Sequence, residues 1–403
     1  MTSFLSWYTI SVKKNNFYPY LILIACCGLI AATFGFINTQ GLYLDSMASD
    51  LNVGRGTLSL YITINFLVTA ILAPTFATKL RDKYNIKIVL AISGSIMLAF
   101  YLLVPQFHNV YLFYLFGFVL GVTTAIFGNT MVVPLLTGWF EKAGTAIGIS
   151  LAFSGVFSMI YSPIAVSLIE NYGWRKAYYS YALIFFIVML YSVIVISKKE
   201  DKVLIQKKEK SPLNKELIIL MGFYIGGCII TSFANYMFSY AVSIGLASSQ
   251  ASYLVSAVSF GNLILKVIFG ILIDHFGGIK TAFINCLLIF IGLVGMLFAN
   301  SSMYILLIIF AFCIGASYAS ANVICQAICA DLFGKENVGK TYATLSIADV
   351  VSAFGATIFG SIYDLTGSYH YALIIFLIIF LIGVAALLID YKLIQKDSTA
   401  SLK

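Results

Sequence analysis

Twelve apolar runs, each long enough to cross a lipid bilayer, divide this chain. They begin near Pro19, Thr57, Ile86, Val110, Ala143, Arg175, Glu216, Gln250, Ile279, Ser302, Lys340 and Tyr369. A helix rising 1.5 Å per residue needs about 20 predominantly apolar residues to span the hydrocarbon layer, and inside that layer every backbone amide must be satisfied within the protein. Runs of this length therefore read as membrane-spanning helices. The composition agrees: 61% of the 403 residues are hydrophobic and only 10% are charged, against about 25% charged in an ordinary soluble domain. So little charge could not cover a core of that size in water. The expected fold class is an all-α membrane protein of twelve spanning helices, with the bilayer as its solvent.

The net charge of +8 does not point to nucleic acid. The basic residues are single or in short clusters flanking apolar runs, as loops beside membrane helices are. Arg55, Arg175 and Lys176 fall in loops on one side, and Lys266 falls within a span. Every other one of the 24 Lys+Arg residues falls on the side that carries both termini and the polar stretch from Lys198 to Lys215. The positive-inside rule makes that side cytoplasmic. The first 18 residues are mostly polar or aromatic, and the run after them is too long for a signal-peptide core, so it is expected to persist as the first span. A multi-pass protein of the plasma membrane is the expectation.

Several function classes fall away. The seven cysteines, Cys26, Cys27, Cys228, Cys286, Cys313, Cys325 and Cys329, all lie in apolar segments without zinc-site spacing. His108, His275 and His370 lie near span ends, so no histidine relay is expected at mid-membrane. No GxxxxGK[ST] stretch is present for binding ATP. No cluster of His, Asp or Cys gathers at one bilayer face as a membrane enzyme would require. No enzyme activity, cofactor or metal is expected. A sensor that binds solute without moving it would carry a long signalling extension, and the tail after Asp390 is short.

The chain also repeats itself. Asp82 in LRDKYNIK matches Asp274 in ILIDHFGGIK, Asn129 matches Asn322, Phe140 matches Phe333, Glu170 matches Asp364, and Gly173 matches Gly367, at nearly constant separation. Two pseudo-symmetric six-helix halves follow, over 1–197 and 216–403, joined by a cytoplasmic linker over 198–215. Parallel repeats about an axis along the membrane normal are one known transporter plan. Glycines four apart, Gly117 with Gly121 and Gly222 with Gly226, are expected to let helices pack closely.

With these features the chain resembles the major facilitator superfamily over essentially its whole length. That family's signature, roughly G-x-L-x-D-R-x-G-R-K, lies between the second and third spans. The second copy here keeps Gly270, Leu272, Asp274 and Gly277. The first keeps Leu80, Asp82, Lys83 and Lys87, with Asn85 where glycine is usual. The resemblance implies that these residues tie helix ends at the cytoplasmic face and concern gating. GWFEKAGTAIGIS (138–150), NYGWRKAY (171–178) and the Asn262, Lys266, Gly270 spacing are similar to the monocarboxylate and oxalate/formate exchanger branch. The oxalate exchangers are expected to hold cations in both the eighth and eleventh spans, so Asp349 is a departure that argues against a dianion. Asn38 falls near a lysine position of the monocarboxylate carriers, again implying weaker attraction for anions.

Only Lys266 and Asp349 stand well inside spans, about 12–14 Å from the cytoplasmic ends at 1.5 Å per residue. An unpaired charge at that depth costs about 2.5–3.5 kcal/mol on the insertion scale, so each needs a cavity or a partner. Three readings are open. Lys266 binds a substrate carboxylate while Asp349 tunes it or takes up a proton; the two bind a zwitterion; or they bridge two helices. Asn262 shares a face with Lys266, and Tyr342, Ser346 and Ser352 share one with Asp349. Tyr318, Asn322, Asn38, Tyr61 and Asn65 complete the candidate cavity lining. The expected function is secondary active transport of a small organic anion by alternating access, as proton symport or anion exchange, with an amino acid or other small solute as the alternative cargo. The expected partners are that solute, protons and the lipid bilayer, with the protein itself a monomer.

Overall fold

The computed structural model describes residues 17–140, 143–197, 215–334, 341, 344, 345 and 348–400, with the side chains of 321, 322 and 390–400 outside the description. The linker expected over 198–215 lies outside the described residues except for Lys215, and Tyr342 and Ser346 lie outside them too. Among the described residues the chain is helical, and ten helical stretches are long and apolar enough to cross a membrane. One of these, α8 (Ala143–Val195), has 53 residues and turns at Gly173, whose φ of 77° and ψ of 158° leave the helical region. Glycine takes that positive φ without steric cost. The expected fifth and sixth spans are thus the two limbs of α8, meeting at a glycine hinge.

The first span is α1 (Tyr18–Ile30), which widens into a π turn at Ala31–Gly35; a short helix, α2 (Gly41–Asp50), follows it. The second is α3 (Arg55–Leu72). Pro74 lies in the π turn Ala73–Ala77 that joins α3 to α4 (Thr78–Lys83). A proline has no N–H to give to the helical ladder, and local rewinding accommodates the loss. Next come α5 (Ile86–Leu103), α6 (Val110–Phe127) and α7 (Asn129–Trp139). Asn85 is the N-cap of α5, accepting from Lys87 N at 2.9 Å. The departure from glycine at position 85 therefore supplies a cap for an orphan amide of the first turn.

Next along the described chain run α9 (Lys215–Ala234), α10 (Met237–Ser243), α11 (Ser248–Phe276) and α12 (Gly278–Phe298). The tenth span is assembled from α13 (Tyr304–Ile314), α14 (Ser317–Ala319), a π turn at Ser320–Ile324 and α15 (Cys325–Phe333). The eleventh span is not one smooth helix. Its described part breaks at Phe354, between α16 (Asp349–Ala353) and α17 (Gly355–Thr366). Finally, α18 covers Tyr369–Ala400.

Large apolar side chains such as Ile92, Leu183, Ile187, Leu190 and Ile382 point outward, each at least half exposed, as a lipid-facing belt requires. With lipid outside, burial of apolar area gives helices little reason to associate, so close van der Waals packing must hold them. The glycines provide it. A Cβ at Gly117 would collide with the Tyr61 carbonyl, and one at Gly121 would lie 2.8 Å from the Asn65 carbonyl, so α6 lies hard against α3. Gly226 meets Gly383 across α9 and α18, with a Cβ there 3.1 Å from Gly383 Cα.

The contacts between the two halves lie toward one end. On one seam, Asp364 of α17 accepts from Arg55 N at 3.0 Å and Gly56 N at 2.7 Å at the start of α3. Deeper along it, Thr63 Oγ1 donates to Ala353 O at 2.9 Å. On the other seam, Ser158 Oγ donates to Ser259 Oγ at 2.8 Å and Ser256 Oγ donates to Met159 O at 2.9 Å, joining the first limb of α8 to α11. A Cβ at Gly155 would sit 2.9 Å from Ser259 O. Gly148 and Gly144, seven and eleven residues earlier on the same face, have open space before them, as does Gly270 on the facing side of α11. The helices therefore touch near their middles and diverge toward the end rich in Lys and Arg.

Candidate functional site

Asn262 and Lys266 lie one and two turns beyond the Ser158–Ser259 contact on α11. The Lys266 ammonium rests 5.9 Å from the ring centroid of Tyr318 on α14. At that range an aromatic face attracts a cation by about 0.5–2 kcal/mol, depending on solvation. Among the described residues no carboxylate lies within 4.0 Å of it; the described ion pairs are Arg55–Asp45, Arg81–Asp82 and Arg175–Asp50. Asn262 is 2% exposed, and its side-chain oxygen has no hydrogen-bond partner. A half-buried ammonium and a free amide oxygen thus share one helical face.

Asp349 stands at the first turn of α16 and accepts a 2.7 Å hydrogen bond from Tyr224 Oη of α9. The phenol satisfies one of its oxygens. Lys266 and Asp349 form no ion pair with each other: Lys266 lies over the ring of Tyr318 of α14, and Asp349 is bonded to Tyr224 of α9.

The other expected lining residues scatter. Asn65 is fully buried against α6, with Thr69 Oγ1 3.4 Å from its Oδ1 and with its Nδ2 unpartnered. Tyr61 packs its ring against Phe113 and Phe116, at centroid distances of 6.0 and 6.1 Å. Asn38 is half-buried in the turn after the first span, its amide bonded to Phe34 O at 3.1 Å. The side chain of Asn322 lies outside the described residues.

At the basic end, Asp82 pairs with its neighbour Arg81 at 2.8 Å, and Arg81 Nη1 carries the tie across helices by donating to Thr130 O at 2.7 Å. Lys83 lies over the ring of Tyr84 at 5.5 Å. Lys87 Nζ donates to Ile194 O at 3.0 Å, at the end of the second limb of α8. A cation there satisfies a terminal carbonyl and opposes the negative end of the helix. Asp274 is exposed and has no described partner, Gly270 faces open space, and Gly277 takes φ 82° between α11 and α12. Asp331, which the motif reading did not single out, holds the start of α12 through Gly278 N at 2.7 Å. Its signal was weak: one carboxylate at the end of a span, with no pattern to join it to a loop 53 residues away.

Comparison with known proteins places this geometry. The model of the Major Facilitator Superfamily matches residues 24–300 and 240–401. An MFS-type transporter of Gibberella moniliformis is 23% identical over 369 residues, covering 88% of this chain and 85% of the relative. Monocarboxylate transporter 2 of Mus musculus is 22% identical over 360 residues, covering 79% and 73%. Among solved structures, nucleoside transporter NupG superposes with a TM-score of 0.73 at 11% identity, covering 93% of this chain and 99% of that one. A bacterial homologue of the human lysosomal transporter Spinster, in an inward-facing and unoccupied conformation, gives 0.70 at 12% identity, covering 94% and 98%. At such identities the structural likeness speaks for the fold alone. The family match spans nearly the whole chain, and this protein is a multi-pass membrane transporter of the Major Facilitator Superfamily.

Proposed function

We propose that this transporter carries a small organic monoanion by alternating access, with Lys266 receiving the carboxylate and Asp349 accepting a coupled proton. The observation that carries the proposal is the Lys266 ammonium, set within a span with no carboxylate partner among the described residues. An uncompensated charge there is costly and is kept where function needs it. Asn262 is placed to accept a hydrogen bond from the cargo, and Tyr318 braces the ammonium beneath it. The halves 1–197 and 216–403 rock about this site, joined by the segment 198–215. The basic end faces the cytoplasm of a plasma-membrane protein, with both termini inside. Asp82, Lys83, Lys87, Gly270, Asp274 and Gly277 belong to the gate at that end, and the monomer is the working unit. Symport with a proton and exchange of one anion for another both fit this site.

The separation of Lys266 from Asp349 favours a second reading, a zwitterionic cargo bridging the two charges. The test is uptake into proteoliposomes of labelled pyruvate, lactate, formate, oxalate and several amino acids, with and without an inward proton gradient, beside Lys266→Gln and Asp349→Asn. Monocarboxylate uptake abolished by Lys266→Gln supports the first reading. Amino-acid uptake lost in both variants supports the second. Binding without movement of any solute would make the protein a sensor.

A further inference from the structure

We infer that Asp364 is a latch that holds the outer end of the transporter shut by clasping the first turn of the second span, and that its release sets how often the cleft opens outward. Both oxygens of this carboxylate are engaged. Oδ1 accepts from Arg55 N at 3.0 Å and Oδ2 from Gly56 N at 2.7 Å, across a sequence separation of more than 300 residues. These amides belong to the first turn of an 18-residue helix, where the ladder leaves N–H groups without partners and the dipole favours negative charge. One side chain from the second half thus closes the helix end of the first.

The surroundings are built for this approach. A Cβ at Gly54 would strike the Asp364 carboxylate, one at Gly56 would strike Ser361, and one at Gly360 would lie 2.8 Å from Gly56 N. Arg55 adds a second tie. Its guanidinium lies 4.1 Å from the ring centroid of Tyr363 and 5.8 Å from that of Tyr369, and it pairs with Asp45. One arginine thereby joins α2 and α3 of the first half to α17 and α18 of the second. Among the described residues the other seam has no such device: it closes on Gly155, Ser158, Ser256 and Ser259, through neutral hydrogen bonds and small residues. Glu170, the repeat partner of Asp364, makes no hydrogen bond or ion pair among the described residues. The two seams are therefore unequal. Separation along the Gly155–Ser259 seam breaks bonds between hydroxyls and carbonyls, whereas separation along the Arg55–Asp364 seam breaks charge-assisted bonds, which are roughly twice as strong.

The inference rests on the alternating-access reading, and its test reads gate position rather than uptake. Ser59 lies one turn beneath the latch and is fully buried, while Gly148 faces open space toward the basic end. Ser59→Cys and Gly148→Cys are labelled in separate proteins by a membrane-impermeant thiol reagent. It is added from the latch side for the first and from the basic side for the second. All seven native cysteines are buried, and the unsubstituted protein sets the background. Asp364→Asn keeps the shape and removes the charge. It is expected to speed labelling at position 59 by about tenfold, the change that follows from losing one charge-assisted bond, and to slow labelling at position 148. Unchanged rates at both positions, or faster labelling at both as in a loosened fold, would overturn the latch. Finite labelling at 59 in the protein with native Asp364 reports rocking itself. Its absence in every variant would count against alternating access, whereas its presence without a response to Asp364→Asn would sink the latch alone.

Discussion

Replacing Lys266 with methionine should weaken anion binding and strengthen the fold, and the opposed signs make the test decisive. The side chains are alike in length and flexibility, so packing on Tyr318 is largely kept. If the ammonium binds the cargo's carboxylate, the variant loses a hydrogen bond to a charged group, worth about 1.5–3 kcal/mol. At about 1.4 kcal/mol per factor of ten, the dissociation constant should rise between about tenfold and about a hundredfold. The stability effect runs the other way. Lys266 has no carboxylate within 4.0 Å among the described residues, so methionine removes a charge whose insertion costs about 2.5–3.5 kcal/mol and strips no described carboxylate of its mate. Binding of a labelled monocarboxylate by the purified protein, followed by thermal unfolding in the same detergent, measures both quantities. Unchanged affinity would remove Lys266 from the site. A lowered unfolding temperature would show that the ammonium supports the fold, contrary to the arrangement described above.

Asp349→Asn keeps an oxygen for Tyr224 Oη but cannot take up a proton, so proton-driven accumulation should disappear while exchange of internal for external solute persists. Loss of both together would make Asp349 part of the binding contact instead. Gly148→Leu fills open space on the inner face of α8, so it should leave thermal stability nearly unchanged yet cut transport at least about tenfold by obstructing closure at the basic end; normal transport would remove that face from the closing surface. Gly261→Ala should be destabilising by about 1–3 kcal/mol, since its Cβ would collide with the Phe312 carbonyl where α11 crosses α13. An unfolding midpoint equal to wild type would contradict the close helix contact there.

What was legible in the sequence is what the bilayer itself dictates. Lipid offers no hydrogen bonds, so a span must be a continuous apolar helix, and Ile86–Gln106 or Gly278–Phe298 can be read from a run of residues with its flanking charges. The close approach at Gly117 and Gly226 was readable for a similar reason, since the missing side chain is itself the signal, whereas Gly173 showed in the sequence only as the repeat match of Gly367. The sequence also showed that Lys266 and Asp349 were out of place in hydrocarbon. It did not show whether they meet, since that depends on the order in which α11, α14, α9 and α16 stand around the cleft. Tertiary structure set each on its own tyrosine. It also revealed Asp364 on the first turn of α3, Asp331 on Gly278 N, and the carbonyls taken by Arg81 and Lys87. These are bonds to backbone atoms, which every residue carries alike, so no side-chain pattern marks the amide or carbonyl that a distant charge will find. Hydrophobic length is a local property and is written along the chain. The pairing of a charge with a helix end depends on how helices far apart in sequence are brought together, and only the folded molecule decides it.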